Sequence, residues 1–135
     1  SIGTANALSV PVPMLSSFDK RYRDTYKRIN AWEAMLNYQA MLALAKAITA
    51  AGTQDNVYAV RAAFPKALPM LGDKYPAEMF GITPAGRIIM PAVLQSISGG
   101  KFSKADVYVW WTRTPEEFDQ VNKISKIMIP KKMLK

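Results

Sequence analysis

Neither histidine nor cysteine occurs among the 135 residues. The first absence removes imidazole as a general base, zinc ligand or haem ligand, and the two together remove Ser-His-Asp and Cys-His catalysis. Without thiols there is no disulfide scaffold either, although this says little about compartment. Negative charge is scarce. Ten Asp+Glu stand against eighteen Lys+Arg, giving +8 and a pI near 9.8, which suits acidic partners without naming one. Long apolar runs are missing too. The stretch from Ala34 to Ala45 is the longest uncharged run inside a helical segment, and it is too short to span a bilayer. The opening Ser1-Ile2-Gly3-Thr4 lacks the charged and apolar regions of a signal peptide and starts without methionine, as a processed product or fragment would. No enzyme, metal or cofactor is expected from this equipment.

What is present suits one folded unit. Half the residues are hydrophobic and 21% are charged, and 15.0 kDa is enough for one core but hardly for two. Residues 1–15, with Pro11 and Pro13, read as an extended lead-in to an α/β body over 16–113, and 114–135 as a terminal helix and tail. Helical spacing starts after Ser16-Ser17, with Phe18, Tyr22, Tyr26 and Ile29 on one apolar face and Lys20, Arg21, Arg23, Lys27 and Arg28 opposite. From Trp32 to Ala51 the sequence is apolar nearly all round, which predicts a helix covered on more than one side. Gly52 ends it in the left-handed conformation. Thr53-Gln54-Asp55 then opens a third helix whose inner face is Val57, Val60 and Phe64, and Pro65 should end or kink it.

Residues 65–86 hold four of the nine prolines and predict irregular chain with a short extended piece near 79–82. The period then changes to that of strands. Ile88 to Ser98 is followed by Ser98-Gly99-Gly100-Lys101, a two-residue hairpin turn, and by a returning strand from about Phe102 to Trp111. Thr114-Pro115-Glu116-Glu117 is a helix start with a cap, a first-turn proline and a capping-box glutamate. Its helix should run towards Pro130, leaving Lys131–Lys135 frayed.

Few residues offer chemistry. The basic helix 20–28 with its interleaved tyrosines permits a nucleic-acid reading, but a solvated outer face accounts for it, with Asp19 and Asp24 breaking the patch. Glu116, Glu117 and Asp119 are explained by capping. Gly99-Gly100 lies between strands rather than before a helix, so it is a turn and not a phosphate cradle. Trp110-Trp111 could wall a ligand, but a strand covered on both faces accounts for the pair. Glu33 and Lys46 interrupt the apolar helix. Glu33, beside Trp32 at its entrance, could meet a ligand if partly buried, although the polar end of a buried helix accounts for it.

The run Tyr38-Gln39-Ala40-Met41-Leu42-Ala43-Leu44-Ala45-Lys46-Ala47-Ile48, followed by Ala51-Gly52-Thr53-Gln54-Asp55 and by Val57, Val60, Arg61 and Ala62, resembles the type I periplasmic solute-binding proteins of ABC importers. The branched-chain amino acid and amide class is the nearer likeness. Pro84-Ala85-Gly86-Arg87 and Gln95-Ser96-Ile97-Ser98-Gly99-Gly100-Lys101-Phe102 continue it, and Phe18, Tyr22 and Tyr26 sit where the family has its Phe-x-x-x-Tyr helix. Gln39 departs from the family's common Asp, and 65–80 is unusually rich in proline.

The resemblance covers about residues 15–111 and only the last third of the family's chain. It implies the C-terminal part of a two-lobed α/β binding protein, with helices packed on a sheet and a late β-hairpin. Such a protein is periplasmic or extracellular and non-catalytic. It holds a small amino-acid-like, amide or other organic ligand between its lobes and delivers it to a membrane permease. In this chain Trp32 and Glu33 alone would approach the ligand. A piece of this kind should self-associate or stay bound to the rest of its chain. Two other readings stay open, namely a small basic nucleic-acid-binding module, though nucleic acid is the less expected partner, and a cytoplasmic ligand sensor of the same fold.

Overall fold

Burial in the middle of the chain repeats every four residues. Met35, Gln39, Ala43 and Ala47 are fully buried, and they line one side of the helix α2 (Trp32–Ala51). The computed structural model describes residues 2–4 and 12–134. Before α2 come a short strand β1 (Ile2–Thr4) and the helix α1 (Pro13–Tyr26). After it come α3 (Val57–Ala67), a small hairpin of β2 (Gly81–Ile82) and β3 (Ile88–Ile89), and the longest strand β4 (Ala92–Ser98). The chain finishes with β5 (Lys101–Phe102), β6 (Asp106–Val109), α4 (Pro115–Ile124) and β7 (Lys131–Met133). The fold is therefore α/β. Its main sheet runs β1-β4-β6-β7, with β5 folded back on β4.

The limits of α2 are those the sequence predicts, and Gly52 closes it at φ 68°. Its burial is narrower than predicted. Met41 is 64% exposed, and Tyr38, Ala40 and Ala45 are exposed too. Its buried side meets the sheet, the stretch carrying Met70 and Met79, and α3 in turn. Met35 joins Val93 of β4 and Val107 of β6 in one core cluster, while Ala47 joins Val60 and Ala67 of α3 in another. The small alanines let α2 and α3 approach closely, and fully burying Met35 contributes about 2 kcal/mol.

Several boundaries differ from the sequence reading, each for a physical reason. Helix α1 begins at Pro13, not after Ser16-Ser17. Proline's fixed φ and missing N–H suit a first helical position, and Val12 before it is extended and buried. The lead-in contains β1, paired antiparallel to β4 with Gly3 opposite Gln95; residues 5–11 lie outside the described ones. Pro65 does not end α3, because Ala67 beyond it is buried against Ala47 and holds the last turn in place. Helix α4 stops at Ile124, well before Pro130. The tail is not frayed, since Lys131–Met133 forms β7, parallel to β6 with Tyr108 opposite Lys132. The β6-α4-β7 succession is a crossover unit of the kind parallel strands require.

The hairpin is as the sequence predicts. Ser98 pairs with Lys101, and Gly99 and Gly100 both have positive φ, 55° and 74°. The returning strand, however, is broken at 103–105 and ends at Val109, so Trp110 and Trp111 follow the sheet rather than belong to it. There the Ser103 hydroxyl accepts from Ser96 N at 2.8 Å.

Two buried side chains tie the irregular stretch 68–80 to the helices. Gln39 donates to Ala77 O at 2.6 Å and accepts from Ala77 N at 2.8 Å. Glu78, 3% exposed, accepts from Gly72 N at 3.0 Å, Lys126 N at 2.5 Å and Ser125 Oγ at 2.6 Å. Gly72 is required where it stands, because a Cβ there would lie 2.6 Å from the Val12 Cβ.

Candidate functional site at the start of the second helix

Helix α1 ends on Lys27, which takes the left-handed conformation at φ 53°. Four residues later Ala31 starts α2 from an extended conformation, with no side chain capping the first turn. The amides of that turn therefore keep their positive end, and Glu33 is the acidic group placed on it. Trp32 is 43% exposed and Glu33 is exposed. Both expected site residues are thus accessible and adjacent on one turn.

Asn30, which the sequence reading does not single out, lies two residues before Trp32. It is 2% exposed, and neither its Oδ1 nor its Nδ2 has a hydrogen-bond partner among the described residues. A buried amide left unpaired costs about 1–3 kcal/mol, and such groups mark places where another partner is expected. A run of Ile-Asn-Ala between two helices carries no signal of this.

Beside this turn, α1 and α2 enclose an open cavity of about 320 Å³ lined by Phe18, Arg21, Tyr22, Thr25, Ala34 and Tyr38, with Tyr26 at its rim. Its walls are aromatic. Phe18 and Tyr38 have ring centroids 5.0 Å apart, and Tyr22 and Tyr26 are 4.9 Å apart. The expectation that Phe18, Tyr22, Tyr26 and Ile29 form one buried stripe is corrected here. Phe18 is buried, Tyr22 half-buried, and Tyr26 and Ile29 are exposed, since the last turn of α1 runs beyond anything that covers it. Trp32 and Glu33 adjoin this cavity in sequence but do not line it.

The other candidates have structural roles. Thr114 caps α4 by accepting from Glu117 N at 3.2 Å, and the Glu117 carboxylate accepts from Arg113 N at 2.7 Å. The Trp110 indole donates to Met90 O at 2.6 Å, and Trp111 packs on Phe80 with centroids 5.2 Å apart. On the basic helix, Arg23 pairs with Asp19 and Lys20 with Asp24, which neutralises two of its five cations. Shifted protonation occurs away from α2, on β7. Burial holds Lys131 below the usual lysine value against the opposing pull of Glu78, and a hydrogen bond to Asp106 raises Lys132. Among the described residues no three carboxylates gather to hold a metal, and no helix is long and apolar enough to cross a membrane.

No known family model matches the chain, and no curated protein does at a significant level. Among solved structures, the chain is similar to a leucine-binding protein, LivK of Thermotoga maritima, with a TM-score of 0.56 and 21% identity. The likeness is one of fold alone, in keeping with the α/β architecture described above. The match covers 77% of this chain but 29% of the other, so the chain spans less than a third of the protein it is similar to.

Proposed function

We propose that this chain is one part of a two-lobed solute-binding protein, a partial domain that holds a small organic ligand against the start of α2 without transforming it. The observation that carries the reading is the similarity of fold to a leucine-binding protein over 77% of the chain. The order of sequence motifs along α2, α3 and the β4–β5 hairpin supports it independently. In this reading Trp32 gives an apolar wall, and the Glu33 carboxylate accepts from a ligand's amine or hydroxyl. The unpaired Asn30 amide, two residues before Trp32, supports it, because a ligand or the facing lobe would bring the missing partner. An amino acid or amide is the ligand class, handed to the permease of an ABC importer outside the cytoplasm.

The test is calorimetric titration with a panel of amino acids and amides, using the chain joined to the remainder of its encoded polypeptide. Trp32→Ala and Glu33→Gln, both at exposed positions, should weaken binding of the ligand found by tenfold or more and leave the melting temperature unchanged. Binding untouched by both substitutions would remove these residues from the site, and absence of any ligand in the panel would remove the function.

One observation favours a second reading. Tyr26 is exposed beside Arg21 and the half-buried Tyr22, an arrangement on which nucleic-acid bases can stack. Binding to single-stranded DNA that weakens steeply with salt would favour it.

A further inference from the structure

Helix α3 carries Val57, Val60, Arg61 and Phe64 on one side, where Val60 is buried, Phe64 half-buried, and Val57 and Arg61 exposed. Together with α2 and the β2–β3 hairpin it bounds a groove of about 620 Å³, within the size range of small-molecule sites. The floor is apolar and fixed, because Ala43, Val60 and Met79 are all buried. The walls are apolar as well, from Leu44 and Ile48 of α2 to Ile88 of β3. Two polar side chains line it, Gln54 and Arg61. Neither has an ion pair or a hydrogen bond to any described residue. Gln54 lies just before α3 and Arg61 in its second turn.

We propose that this groove binds a small aliphatic monocarboxylate, its chain along the apolar floor and its carboxylate on Arg61 and Gln54. A guanidinium without a partner beside apolar walls matches one anionic group on an apolar body, and Arg meets a carboxylate with two parallel hydrogen bonds. No lining residue is acidic, so an amino acid would leave its ammonium unpaired and is disfavoured. The net charge of +8 further raises the local concentration of anions. This site does not involve Trp32 or Glu33 and stands independently of the function proposed above.

Titration of the chain, joined as above to the remainder of its encoded polypeptide, with butanoate, hexanoate and octanoate tests it, with octanol and octylamine as controls. Affinity should rise about fourfold per added methylene, and octylamine should bind more weakly than octanol. Arg61→Gln should cost octanoate tenfold or more and leave octanol unchanged, while Arg61→Lys recovers part of the loss. Ala40→Trp, at an exposed position on the groove wall, should abolish binding of both. Trp32→Ala should change none of these values. The proposal is overturned by octanoate affinity that ignores Arg61→Gln, by octanol binding as tightly as octanoate, or by a groove that Ala40→Trp shows to be filled by a second copy, seen as a dimer which that substitution dissolves.

Discussion

Gln39 shows how much one side chain can decide. In the resembling family this position commonly carries Asp. Here the buried amide both donates to and accepts from the Ala77 main chain, which an ionised carboxylate, an acceptor only, cannot do. Gln39→Glu should therefore destabilise the fold by about 2–3 kcal/mol at neutral pH, with a carboxylate facing a carbonyl oxygen. Protonation restores a donor. Burial against the Ala77 carbonyl raises the folded pKa of the new group above the unfolded value of about 4.3, and the deficit is full above that folded pKa, where the group is ionised. It should shrink as pH falls towards about 4. Urea midpoints of the variant and the parent at pH 7 and pH 4 check this, and a deficit that grows in acid would show that the introduced carboxyl does not act as a buried donor. Glu78 is the second such residue. With three donors converging on it, Glu78→Leu should cost about 2–3 kcal/mol, because the Gly72 N–H would be buried unpaired and the part-buried Ser125 and Lys126 donors would lose their acceptor. Neither role is legible in the sequence. Both depend on a loop some forty residues distant or on the far end of α4, and no local pattern reports where an isolated polar residue finds its partner. The helix start at Trp32 can be read from the sequence because it is a local event, whereas the isolation of Asn30 is visible only after the chain has packed.

At the scale of elements, the legible signals are those written into a few adjacent residues. The limits of α2, the Ser98–Lys101 turn and the Thr114 cap all belong to this kind. The turn carries a direct prediction. With Gly99 at φ 55°, Gly99→Val should destabilise by about 1–2 kcal/mol, since a β-branched side chain is penalised there. An unchanged denaturation midpoint would contradict the turn. What depends on a distant neighbour is not legible. Strand β7 has three residues, too few to display a period, and Lys131-Lys132-Met133 has the composition of a solvated tail. It becomes a strand because β6 offers an open edge and α4 carries the chain back alongside it. Pro65 misleads for the same reason. Its rule is local, and the burial of Ala67 against Ala47 that overrides it is not.

For the whole molecule, the prominent property is apolar surface left open. Ile29, Met41, Val57, Tyr58, Phe102 and Met128 are each more than 60% exposed, and they belong to α2, α3, the hairpin and two loops. Scattered apolar residues are ordinary, but this many large ones on a small chain predict association. Sedimentation at several concentrations should show a mass above 15.0 kDa that falls on dilution. A particle monomeric throughout, free of dye-binding surface, would show that nothing is missing from the fold and would remove the basis for reading it as part of a larger binding protein. The sheet order adds a consequence in time. Strand β1 is laid against β4 across more than ninety intervening positions, Gly3 opposite Gln95, whereas β5 meets β4 with Ile97 opposite Phe102 and β6 meets it with Leu94 opposite Asp106, far nearer in the chain. Closing so long a loop is entropically costly and comes late in folding. Deleting residues 1–4 should then leave the stopped-flow refolding rate nearly as it was and speed unfolding, so that the loss of stability falls on the unfolding limb. A refolding rate that drops in proportion to the lost stability would mean that the chain begins its folding at β1.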